Sequence, residues 1–154
     1  MNRLLFLLVC LFVLGNKSKA QLPKKLQSGF YYVVTSGGQE VTKKDCKRCP
    51  AEHYLINKIP FCNMREIKEV NRDFSNQGFP VVNIQLNQKG TKILKTISKK
   101  YINKKMVLVA ANKVIAVAQM MDEIKDGQIQ LTGNYSVPEV DEIVKTIQSE
   151  IKTN

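Results

Sequence analysis

The chain has 154 residues, with 24 Lys or Arg, 13 Asp or Glu, a single His and 44% hydrophobic residues, for a formal net charge of +11. At roughly 100–200 residues per domain this is one packed core, and the apolar fraction is too high for a disordered chain, so a multidomain enzyme is excluded. One His and four Cys leave little material for a His-rich metal site, a Ser-His-Asp triad or a disulfide-dense miniprotein.

Residues 1–20 carry the marks of a secretory signal peptide. Arg3 gives a positive start, Leu4 to Leu14 run without a charge, and Ser18-Lys19-Ala20 puts small residues where signal peptidase reads them. This apolar run falls well short of the ~20 residues that a membrane-crossing helix needs. Cleavage before Gln21 is expected, with an uncleaved N-terminal anchor as the alternative. Loss of Arg3, Lys17 and Lys19 leaves 134 residues with a net charge of +8. The charge alone would suggest nucleic acid. An exported chain, periplasmic or extracellular, rarely meets it, so anionic headgroups, cell-wall polymers or acidic protein segments become the expected electrostatic partners.

A short basic leader, residues 21–29, precedes a single domain over 30–154. Phe30 to Thr35 is a β-branched and aromatic run, bounded by Gly29 and Gly37-Gly38, and reads as a strand ending in a turn. Gln39 to Glu52 is polar and reads as a loop carrying Cys46-Lys47-Arg48-Cys49-Pro50. Tyr54-Leu55-Ile56 and Ile59-Pro60-Phe61 look like a strand interrupted near Pro60. Alternation from Ile67 to Arg72 leads to the turn Ser75-Asn76-Gln77-Gly78.

Val82, Ile84 and Leu86 alternate with polar residues as in a half-buried strand. Asn87 can cap a helix from Lys89 to about Ile102, with Ile93, Leu94, Ile97 and Tyr101 on one face. Met106–Ala110 and Val114–Ala118 are uniformly apolar runs, joined by a tight turn at Ala111-Asn112-Lys113, and their lack of alternation predicts burial on both faces. Gln128 to Thr132 alternates again. Ser136-Val137-Pro138-Glu139 is a capping box opening a helix with Val140, Ile143, Val144, Ile147 and Ile151 on one stripe. The order predicts an α+β fold, a mainly antiparallel sheet with two amphipathic helices packed on one face.

Two groups of residues carry candidate chemistry. Cys46, Cys49 and Cys62 suit a structural disulfide in an oxidising compartment, with one cysteine left over. A redox dithiol at Cys46 and Cys49, or a zinc set adding Cys62 and His53, is the alternative. The second group is the lysine-rich helix, with Lys89, Lys92, Lys95, Lys99, Lys100, Lys104 and Lys105; Lys92, Lys95 and Lys99 are its candidate anionic-surface contacts. Such a run also fits an ordinary solvated face. Aromatic residues are not interleaved with these lysines, which argues against single-stranded nucleic acid.

Several motifs, in order and spacing, resemble a known family. Gly78-Phe79-Pro80-Val81-Val82, Leu86-Asn87-Gln88-Lys89-Gly90, the Val107-Leu108-Val109 hairpin to Val114-Ile115, and Ile129-Gln130-Leu131-Thr132-Gly133-Asn134-Tyr135-Ser136 are similar to the head region of the large periplasmic domain of SecD. The resemblance covers 54–151. It departs where Ala111-Asn112 replaces an Asp-Gly turn and Ala116-Val117-Ala118 replaces a Ser-Ala-Pro stretch. The resemblance implies an exported, free-standing head domain of the SecDF export complex, a region proposed in that family to contact unfolded or emerging polypeptide. It does not carry over proton-driven transport, for which the family uses a transmembrane bundle. The expectation is thus a non-catalytic interaction module that needs no metal or cofactor, has a protein or polypeptide partner and no nucleic acid, and touches a membrane surface only peripherally.

Overall fold

The computed structural model describes residues 25–43 and 50–153. Its elements run β1 (Gly29–Tyr32), β2 (Gln39–Lys43), β3 (Glu52–Ile56), β4 (Cys62–Asn63), β5 (Ile67–Phe74), β6 (Pro80–Leu86), α1 (Gln88–Lys100), β7 (Lys105–Ala110), β8 (Lys113–Gln119), β9 (Gln128–Leu131) and α2 (Val137–Thr153), with a 3-10 turn at Met64–Glu66. Among the described residues the strands form three antiparallel sheets, ordered β4-β1-β7-β8, β2-β3 and β5-β6-β9. The α+β class read from the sequence is the one found.

Apolar residues alternate across the four-stranded sheet and build a core on each side of it. Phe30, Met106, Leu108 and Ala110 share one cluster with Val82, Ile84 and Leu86 of β6 and with Leu94, Val140 and Ile147 of the two helices. Tyr31, Val107 and Val109 point the other way, against Val41 and Ile56 of the β2–β3 hairpin. Both helices therefore lie on one side, as expected. The β5-β6-β9 sheet joins them there as a separate unit instead of extending a single sheet.

Local chemistry explains the element boundaries. Asn87 caps α1 by accepting from the Gly90 N–H at 2.9 Å, while its own N–H and side-chain amide donate to the Glu66 and Arg65 carbonyls at 2.8 and 2.9 Å. Gly90 is required for this junction, because a Cβ there would lie 2.9 Å from both Cβ and the carbonyl oxygen of Glu66. Glu139 Oε2 accepts from Ser136 N and Oγ, each at 2.7 Å, and so opens α2. Ala111 and Asn112 both take positive φ, 48° and 61°, as a two-residue hairpin matched to strand twist demands.

Five sequence expectations are corrected. The polar stretch from Gln39 is half of a hairpin, its alternation burying only Val41, and β3 begins at Glu52. The strand after Pro60 is Cys62–Asn63, with Ile59 left exposed. The first helix stops at Lys100, because Asn103, at φ 64°, turns the chain into β7. β7 is buried on both faces but β8 is a sheet edge, and only its Ala116 is buried. In the leader, Gly29 already belongs to β1, and Leu26 packs on the hairpin-side core while its N–H donates to Asn112 Oδ1 at 2.8 Å.

Candidate functional site

The predicted Phe30–Thr35 strand changes partners midway. Val33 N–H still donates to the Lys105 carbonyl at 3.0 Å, but Val34 N–H donates to Leu55 at 2.8 Å. The chain thus passes from β7 to β3, and Val33 forms an isolated bridge with Ile56. Where it leaves β7, a groove of about 570 Å³ opens, lined by Tyr32, Val33, Val34, Thr35 and Ser36 on one side and Tyr101, Asn103, Lys104 and Lys105 on the other. That volume lies within the usual range for ligand clefts.

Aromatic rings stiffen the groove. Tyr101, the C-cap of α1, stacks on Tyr32 with centroids 4.5 Å apart, and Tyr32 in turn lies 6.3 Å from Phe61. A hydrogen bond between their hydroxyls, reinforced by burial, holds the Tyr32 phenol above its ordinary range. Lys105 Nζ sits 5.1 Å from the Tyr54 ring centroid and Lys100 Nζ 5.3 Å from that of Tyr101. Apolar walls with a cationic rim, and no group positioned as a nucleophile or general base, suit binding rather than bond-making chemistry.

Three other clefts are smaller. A cleft of about 300 Å³ beside α2 mixes Lys43 and Lys113 with Glu139 and Glu142. Another, about 270 Å³, lies on the polar face of β5-β6-β9, where Gln130 donates to Asn83 and Asn83 to Asp73, so these groups satisfy one another. A third, also about 270 Å³, runs between the edges of β8 and β9.

The residues singled out from the sequence do not form one site. Cys62 is a free thiol, 1% exposed, inside the helix-side core. Burial, together with the Glu66 charge, pushes its pKa up to about 12, which makes it an inert packing residue. His53 lies across the sheet on the hairpin, exposed, with Nδ1 3.1 Å from Glu40 Oε1. The zinc set therefore cannot combine His53 with Cys62. Cys46 and Cys49, like the signal-peptide reading of 1–20, fall outside the described residues. Lys92, Lys95 and Lys99 share the exposed face of α1, whereas Lys89 pairs with Glu66 at 2.8 Å. Tyr32, Val33 and Val34 were not legible as site residues. Their only sequence signal was the length of an apolar run that the structure divides between two sheets.

Antiparallel sheets under two helices, a cleft where one strand changes sheets, and no metal-holding group of three His, Cys, Asp or Glu among the described residues define an α+β domain organised around a surface groove. Residues 39–150 match the model of the SecDF, P1 head subdomain, and the chain belongs to that family. The fold is similar to a structure described as a membrane component SecDF that enhances protein export, with TM-score 0.58 and 17% identity, over 80% of this chain and 64% of that one. It is also similar to SecDF in its Super-membrane-facing form, with TM-score 0.61 and 18% identity, over 80% of this chain and 19% of that one. This chain thus spans less than two thirds of either relative. Among the described residues no helix is long and apolar enough to cross a membrane. Residues 32–36 precede the family match, so the strand side of the groove lies outside it.

Proposed function

We propose that this protein is an exported, non-catalytic interaction module of the SecDF P1 head type that binds extended polypeptide in connection with protein export. Export rests on the signal-peptide pattern of residues 1–20, and the connection with export on the family. The observation that carries the binding reading is the groove between Tyr32–Ser36 and Tyr101–Lys105, whose stacked rings and valines offer an apolar surface to side chains of an unfolded segment. Membrane contact through Lys92, Lys95 and Lys99 is peripheral to this role.

The test is site-specific photocrosslinking to a reduced, unfolded model polypeptide. A photoreactive residue at Ser36, on the groove, is expected to give adducts, and one at Asn76, in the β5–β6 turn, is not. Equal yields at both positions would remove the groove from the account.

A further inference from the structure

The groove also has a chemical bias. Its lining includes Lys104 and Lys105 and no carboxylate, and Lys100 stands beside it over Tyr101. The rings near these cations orient them without neutralising them. Carboxylates elsewhere are engaged: Glu66 with Lys89, Asp141 with Arg72, Glu123 with Lys125. Glu52 is held by the Tyr54 hydroxyl and does not line the groove. On the opposite wall, Thr35 and Ser36 present hydroxyls that make no hydrogen bond among the described residues.

We propose that the groove selects polypeptide segments in which an apolar or aromatic side chain stands next to a carboxylate. This rests on the polypeptide-binding reading above. The apolar side chain lies against Tyr32, Val33, Val34 and Tyr101, and the carboxylate meets Lys104, Lys105 and the two hydroxyls. Charge complementarity carries the choice: unneutralised ammonium groups beside an apolar wall favour acidic segments and repel basic ones. A lipid headgroup layer is flat, and would meet the exposed Lys92, Lys95 and Lys99 face of α1 rather than enter a cleft.

Fluorescence anisotropy tests this with the whole chain and two labelled peptides, one alternating Phe and Glu and a twin with Gln in place of Glu. The acidic peptide is expected to bind about tenfold tighter, the effect of one to two partly solvated charge-assisted contacts. Lys104→Gln with Lys105→Gln should abolish that difference and leave the Gln peptide unaffected, while Tyr101→Ala weakens both peptides. Equal binding of the two peptides by the unaltered chain would overturn the selectivity and leave polypeptide binding standing. No binding of either, with capture by vesicles of phosphatidylcholine and phosphatidylglycerol in equal parts, would overturn both.

Discussion

The Tyr101 ring lies on the Tyr32 ring with planes inclined by only 16°, tying the end of α1 to the end of β1. The contact is structural and part of the groove at once. Tyr101→Ala is expected to lower unfolding free energy by about 2 kcal/mol in urea titrations, from lost packing and ring–ring attraction. Tyr101→Phe keeps the stack but removes the hydroxyl. The Tyr32 phenol should then titrate at lower pH than in the unaltered chain, read by tyrosinate absorbance.

Gly90 is the second test of packing. In an exposed helix, Ala in place of Gly gains about 1 kcal/mol. Here the new methyl would press on Glu66, which cannot give way easily because Asn63 N–H and Lys89 Nζ hold its two carboxylate oxygens at 2.9 and 2.8 Å. Gly90→Ala should therefore be destabilising by about 1–2 kcal/mol, measured as a lower urea midpoint at constant slope.

Much of the fold was legible where the signal is local. Asn87 and Gly90 sit in one of the family-like motifs, and the structure shows why: one caps α1, the other lets the 3-10 turn approach. Ser136 and Glu139, and the Ala111-Asn112 turn, are equally short-range. Three things were not legible. β2 buries one residue in five and looks like loop; β1 is inserted between β4 and β7 by long-range pairing; and the groove joins residues 32–36 to 101–105 through a change of sheet that periodicity does not encode.

Alkaline pH separates two buried acids. Burial raises Cys62 from 9.0 to about 12 and Tyr31 from 10.0 to about 12. Below pH 9 folded and unfolded chains both keep these protons, and stability is unaffected. Between pH 9 and 12 the unfolded chain releases protons that the folded chain retains, so stability falls as pH rises. Cys62→Ala lowers stability at every pH through its cavity, but should delay the onset of the decline towards pH 10. A thiol reagent at pH 8 should leave Cys62 unmodified until denaturant is added.

The acid side depends on α2. The Ser136 backbone N–H and hydroxyl lower the Glu139 pKa. Its contribution is present above the unfolded carboxylate pKa and is lost as pH falls through the folded value. Glu139→Gln should flatten that part of the stability profile, with little change at alkaline pH.

Chemical-shift mapping of backbone amides, as an unfolded polypeptide is titrated in, is the most direct measurement of the central claim. The account predicts perturbations concentrated at residues 32–36 and 101–105, diminished by Tyr101→Ala. Perturbations confined to the α1 face of Lys92, Lys95 and Lys99, or to the polar face of β5-β6-β9, would contradict it.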